Sequence, residues 1–149
     1  MILSVFSDEF FMKEALKEAK QSALEDEVPV GAVVVCDNRI IARAHNLIEK
    51  LNDVTAHAEM LAITAAANYL GGKYLENCSI YITLEPCVMC AGALNHAHIG
   101  KIIWAADDPK KGFTIIGKNL LHPKTEISKG VCSHESEQLL KTFFAKKRS

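Results

Sequence analysis

Two cysteines three residues apart, Cys87 and Cys90, follow an apolar, β-rich run that ends in Thr83-Leu84-Glu85-Pro86. A pair at this spacing, opening a helix directly after a strand, reads as a metal or redox site. Pro86 suits the first helical position because its missing N–H would be unpaired there, and the positive end of the helix favours deprotonated Cys87 and Cys90 on the first turn. Two ligands do not fix a zinc ion. His57 can supply a third, and a His/Cys/Cys set with its fourth position open to water is the arrangement of a catalytic rather than a structural zinc site. Glu59 stands two residues beyond His57. A carboxylate there can carry protons in a hydrolysis, a role typically worth about 10²–10⁴ in rate.

Each part has a duller reading when taken singly. A histidine at a helix start is more often a surface or capping residue than a ligand, and His45, His96, His98, His122 and His134 take that reading. A Cys-x-x-Cys after a strand also opens a thiol oxidoreductase, but such an enzyme has no need of His57 and Glu59 at the head of another helix. A structural four-ligand zinc site needs a further ligand, and the chain has no second Cys-x-x-Cys.

His57-Ala58-Glu59 followed by Pro86-Cys87-Val88-Met89-Cys90 is a complete form of the His-x-Glu and Pro-Cys-x-x-Cys signature of zinc nucleobase deaminases. The chain resembles the cytidine-deaminase superfamily, and within it the bacterial tRNA-specific adenosine deaminases. The likeness runs from Glu27-Val28-Pro29-Val30-Gly31-Ala32-Val33-Val34 through Asn46, Asp53, the His57 segment and Thr83 to Ala93, and on to Phe143-Phe144. The resemblance implies one Zn²⁺ per chain on His57, Cys87 and Cys90, with Glu59 as proton shuttle in the deamination of wobble adenosine to inosine. It also implies substrate contacts at Asn46, Asp108, Val28 and Pro29, a tRNA anticodon loop as partner, and a homodimer. Phe113 is an expected stacking platform for a flanking base, with packing inside its own loop as the alternative. Around Asp108 the chain departs from its relatives, since Asp107 adds a negative charge beside a polyanion and His98 stands where an arginine is common. A deaminase of a free nucleobase, a metal-free thiol oxidoreductase and a zinc-stabilised RNA-binding domain are the competing readings.

The elements that must position these residues follow from periodicity. Apolar side chains at Met12, Ala15, Leu16, Ala19 and Ala23 predict an amphipathic helix over 8–24, with Glu25-Asp26-Glu27 ending it in solvent. Val30–Cys36 and Arg39–Ala44, separated by Asp37-Asn38, predict a hairpin. His45–Val54 is an irregular loop in which Asn46 and Asp53 are candidate substrate contacts. Thr55 or Asp53 is the expected cap of a helix that carries His57 and Glu59 in its first turn and stops at Gly71-Gly72. Residues two apart do not share a helical face, so spacing alone does not bring both side chains to one point. Ser79–Leu84 and Lys101–Ala105 predict two more strands. The helix between them should run to about His96 with Met89, Ala93 and Leu94 inward. Residues 107–125 are dense in Asp-Pro, Lys-Gly and His-Pro breakers and read as a functional loop. Thr125–Val131 is an expected last strand, and a final helix capped by Ser133 should bury Leu139, Leu140, Phe143 and Phe144.

This alternation predicts an α/β domain with three layers, and the resemblance specifies a cytidine-deaminase-like α/β/α fold with a mixed five-stranded sheet. At 149 residues and 49% apolar content, one domain over residues 1–149 is expected. No apolar run reaches the length of a membrane span, and Met1–Phe6 lacks a basic region and cleavage pattern, which predicts a cytoplasmic protein. Cys36, Cys78 and Cys132 read as packing residues. The net charge of −1 argues against a strongly basic nucleic-acid binder. Its distribution is uneven: residues 1–60 hold 6 basic and 11 acidic side chains, whereas residues 101–149 hold 10 and 5. Lys110, Lys111, Lys118, Lys124, Lys129, Lys146, Lys147 and Arg148 would suit phosphate contacts if folding gathers them.

Overall fold

The computed structural model describes residues 7–148, and the Met1–Phe6 segment, in which no signal pattern was expected, lies outside them. Helix α1 spans Asp8–Leu24, with the Ser7 hydroxyl accepting from the Phe10 amide at its start. Its buried face is Phe11, Met12, Ala15, Leu16, Ala19 and Ser22. Ser22 can turn inward because its hydroxyl donates to the Asn46 carbonyl at 3.1 Å. The acidic run that follows does not end in solvent as expected. Glu27 is 2% exposed, and its carboxylate accepts from the backbone N–H groups of Glu49 and Lys50 at 3.1 and 2.8 Å. Those two charge-assisted bonds make its burial tolerable and tie the end of α1 to the loop leading to His57.

Strands β1 (Gly31–Cys36) and β2 (Arg39–His45) form the predicted hairpin. Asp37 and Asn38 turn it with φ of 52° and 58°, the two-residue geometry whose twist matches the flanking strands. Strand β3 (Cys78–Leu84) pairs antiparallel with β1, and β4 (Lys101–Ala106) and β5 (Glu126–Lys129) continue the sheet in parallel. The order β2-β1-β3-β4-β5 is the mixed five-stranded sheet that the resemblance implied. β5 is shorter than predicted because Gly130 and Cys132, with φ of 95° and 60°, turn the chain out of the ladder.

Side-chain alternation splits the core between the two faces of this sheet. Helices α2 (Ala58–Leu70) and α3 (Val88–His96) cover one, packing Ala58, Ala62, Ala66, Ala91 and Leu94 against residues such as Val34, Ile80, Ile82 and Ile102. On the other face, Phe11, Met12 and Ala15 of α1 meet Val33, Val35, Tyr81, Ile103 and Ala105. Gly31 permits that approach, since a Cβ there would lie 2.1 Å from the Ala15 carbonyl oxygen.

Helix α4 (Ser133–Arg148) shares the α1 face but buries less than its sequence predicts. Leu139, Leu140 and Phe143 are half-buried and Phe144 is 42% exposed, because α1 already occupies the centre of that face. Its buried anchor is Ser136, whose hydroxyl donates to the Thr83 carbonyl. In α3 the inward residues are Cys90, Ala91 and Leu94 rather than Met89 and Ala93. With Cys90 turned toward the metal centre, the position that shares its side lies four residues on, at Leu94, and Ala91 widens the buried stripe. Among the described residues no helix is long and apolar enough to cross a membrane.

Candidate metal centre

The centre forms where the heads of α2 and α3 meet. His57 is the N-cap of α2, in extended backbone with φ −73° and ψ 152°, and its side chain makes no capping bond. Neither expected cap serves the helix, because the Asp53 carboxylate instead closes on the Thr55 N–H and hydroxyl at 2.8 and 2.7 Å. The Ala58 amide is taken by Asn46 Oδ1 at 2.8 Å. Asn46 is 5% exposed, and its Nδ2 donates to the Val28 carbonyl at 3.2 Å. A cap supplied from the preceding loop leaves the imidazole free to turn elsewhere. It also shows how His57 and Glu59 serve one point although they are two apart: His57 sits just off the helix and Glu59 just on it.

At α3 the structure corrects the expected position of Pro86. The first helical residue is Val88 and Cys87 is the cap, with φ −75° and ψ 175°. Pro86 therefore precedes the cap. The Phe113 N–H donates to its carbonyl at 2.9 Å, and Cys87 forms an antiparallel bridge with Gly112. These bonds hold 86–87 extended. Cys87 projects from the cap and Cys90 from the first turn.

His57 Nδ1 lies 3.8 Å from Cys87 Sγ and 3.6 Å from Cys90 Sγ. The donor atoms of the three residues all fall within 4.8 Å of one another. Zinc–sulfur and zinc–nitrogen bonds of about 2.3 and 2.0–2.1 Å in a tetrahedron place such atoms about 3.6 Å apart, so the donor set fits one zinc ion. Without metal, the hydrogen bond from Cys90 and then the neighbouring His57 draw the Cys87 thiol down to about 4. The His57 imidazole is raised, chiefly by its bond to Cys87. Cys90 is pushed strongly up by its bond to Cys87 and by burial. A dication takes two deprotonated sulfurs, so loading the site displaces the Cys90 proton.

Glu59 is 4% exposed, and burial pushes its carboxyl up to about 7, with the Cys90 thiol in hydrogen-bonding contact. A buried carboxyl beside a metal site is suited to taking up and giving back a proton.

Glu85 is a site residue that sequence reasoning missed. It is 4% exposed and accepts from the Asp108 N–H at 3.1 Å, the Thr114 N–H at 3.1 Å and the Thr114 hydroxyl at 2.7 Å. Gly112 is required there, since a Cβ would lie 2.1 Å from Glu85 Oε2. One buried carboxylate thus clamps the 108–114 segment onto the head of α3. The signal available in the sequence was a charge set between an apolar strand and the Cys87–Cys90 pair.

The expected substrate contacts fare unequally. Asp108 is half-exposed, and its Oδ1 accepts from the Lys110 and Lys111 amides at 3.2 and 3.1 Å, closing a turn that leaves both lysines exposed. Phe113 is 0% exposed and packs its ring edge-on against Trp104, with centroids 5.5 Å apart. Burial leaves no exposed ring face for a flanking base, and the ring packs into the core beside Trp104 of β4 rather than within its own loop. Val28 is half-buried and Pro29 buried. The added charge at Asp107 is engaged by the Trp104 indole N–H at 2.8 Å and by Lys129 at 3.3 Å. A cleft of about 940 Å³ between the 25–28 connection, the 48–50 loop and α4 includes Val28 and Phe143 but none of the metal-site residues.

Residues 6–106 match the family model of the cytidine and deoxycytidylate deaminase zinc-binding region. The chain is 46% identical to the tRNA-specific adenosine deaminase of Aquifex aeolicus (strain VF5), over 95% of this chain and 96% of that protein. It is 45% identical to the protein of the same name from Bacillus subtilis (strain 168), over 95% and 91%. It also superposes with a TM-score of 0.82 and 41% identity, over 87% of this chain and 98% of the other, on a structure from a study of A-to-I editing by tRNA:A34 deaminases at the wobble position of transfer RNA.

Proposed function

The chain belongs to the cytidine and deoxycytidylate deaminase family, whose zinc-binding region it carries, and from that membership we propose that it hydrolyses adenosine to inosine at the anticodon wobble position of tRNA. The observation that carries this reading is a buried carboxyl, Glu59, lying against Cys90 where the donor atoms of His57, Cys87 and Cys90 converge. We assign His57, Cys87 and Cys90 as ligands of one zinc ion per chain and Glu59 as the proton carrier.

Zinc in such a site acts as a Lewis acid and lowers the pKa of water from 15.7 toward about 7. Glu59 takes the proton that the attacking water gives up and delivers it to the purine ring nitrogen. It then takes the proton left on the newly added hydroxyl and hands it to the departing amine, so that a carbonyl oxygen ends on the ring carbon and ammonia leaves. An anticodon loop presents bases that are already unstacked, which removes the need to open a duplex. Asn46 holds the head of α2 and the nucleoside beside it. Val28 and Pro29 line the approach, and Asp108 presents the turn whose exposed Lys110 and Lys111 meet phosphates.

We read residues 1–149 as one deaminase domain that works as a cytoplasmic homodimer. Exposed apolar side chains at Leu51 and Val54 in the loop before α2, and at Val88 where α3 begins, support contact with a second copy. Incubation with an anticodon stem-loop carrying wobble adenosine should yield inosine, whereas ammonia released only from free bases would overturn the substrate assignment. Glu59→Ala should keep one zinc per chain by metal analysis while turnover falls by about 10² or more. Loss of the metal on that change would contradict the assigned role.

A further inference from the structure

Cys36 and Cys78 lie outside the metal centre, and no step above uses them. The antiparallel register of β1 and β3 sets them directly opposite each other, on the sheet face that α2 and α3 cover. The Cys78 N–H donates to the Leu75 carbonyl at 3.0 Å, and its own carbonyl accepts from Gly100 N–H at 3.1 Å. Its backbone therefore does not close on Cys36. That makes the two a non-hydrogen-bonded pair, in which the Cα atoms stand about 4.5 Å apart with side chains nearer than in the alternate kind. A disulfide accepts Cα separations of about 4.4–6.8 Å. The two side chains pack in the same cluster, and Cys78 is pushed up to about 12 by burial and then by the nearby Cys36 thiol. Cys36 is half-buried and Cys78 is 2% exposed, so a reagent from solvent meets Cys36 first. Cys132 packs on the opposite face, with α1.

We propose that Cys36 and Cys78 form a thiol-oxidation site that reacts with a low-molecular-weight disulfide and closes reversibly into an intramolecular bond between β1 and β3. In the first step the Cys36 thiolate attacks one sulfur of the reagent, forms a mixed disulfide and releases one reagent thiol. In the second, Cys78 gives up its proton and attacks the Cys36 sulfur, releasing the other reagent thiol. Two protein thiols are oxidised, the reagent's sulfur–sulfur bond is reduced, and the two protons end on the released thiols. The new bond ties together the ends of segment 37–77, which carries Asn46, His57 and Glu59. It lies at the hairpin end of β1, away from Gly31, and leaves the metal ligands unchanged.

The test treats the zinc-loaded full chain with glutathione disulfide, then counts thiols in denaturant with chelator and maps peptides by mass spectrometry. The count should fall from five to three, with a Cys36–Cys78 linked peptide, zinc retained, and reversal by dithiothreitol. Cys78→Ala should stop at a mixed disulfide on Cys36, and Cys36→Ala should leave Cys78 unmodified. A persistent mixed disulfide on Cys36 of the unaltered chain would overturn the proposal. So would a Cys87–Cys90 link with loss of zinc, or reaction confined to Cys132.

Discussion

Cys87 and Cys90 are the same residue type one turn apart, yet without metal one sulfur carries the charge and the other the proton. The cause is geometric: Cys87 receives the Cys90 hydrogen bond and faces His57, whereas Cys90 is fully buried. A thiol near 4 is a thiolate at pH 6, where an ordinary thiol near 8.5 is still protonated. Chelator-treated protein exposed to iodoacetamide at pH 6 should therefore be alkylated at Cys87 well before Cys78, which burial holds up at about 12. Reloading with zinc should protect Cys87, and equal labelling of Cys87 and Cys78 in the metal-free protein would contradict this assignment. Residue type and spacing made His57, Glu59, Cys87 and Cys90 legible in the sequence. The role of Asn46 as a cap was not, because its bond to the Ala58 amide crosses a loop whose path no local pattern encodes.

At the scale of elements, the site depends on two helix starts held open by groups from elsewhere in the chain. Asn46 caps α2, and the strand-like contact of residues 86–87 with Gly112 and Phe113 delays α3 until Val88. Glu85 fastens the same 108–114 segment with three accepted bonds. In Glu85→Gln the amide turns a donor toward these donors. Hydrogen bonds to a charged group are worth about 1.5–3 kcal/mol each, so loosening the turn that bears Asp108, Lys110 and Lys111 should raise KM for the stem-loop by about tenfold. Zinc content should stay at one per chain and kcat should change far less. An unchanged KM accompanied by loss of zinc would instead make Glu85 a support of the metal ligands. Helix and strand periods predicted these elements to within a few residues. They could not show that Glu27 and Glu85 are buried, because each carboxylate is satisfied by amides distant in sequence.

Over the whole molecule, folding does not gather all the expected cations into one free basic face. Lys147 pairs with Asp26 at 2.6 Å and Lys129 with Asp107 at 3.3 Å, while Lys110 and Lys111 stay exposed beside the head of α3. On the proposed RNA substrate these two lysines would supply about two phosphate contacts, which for a single strand contribute roughly −1.4 to the slope of log affinity against log salt. Titrating a labelled stem-loop in increasing KCl measures it, and replacing Lys110 and Lys111 together by alanine should flatten the slope by about 1.4. A steeper slope that this double change leaves untouched would move the RNA contact elsewhere on the surface.

The sequence alone determined the candidate donor residues, the carboxyl that accompanies them and the alternation of strands and helices, because ligand chemistry depends on residue type and element type on local period. Only the tertiary structure decided that His57 and the two sulfurs stand at zinc-bonding distance, that Asn46 caps α2, that Phe113 turns inward against Trp104, and that Cys36 faces Cys78 across two strands. Each of those outcomes is a contact between segments far apart in the chain, set by sheet register and by which buried polar groups find partners.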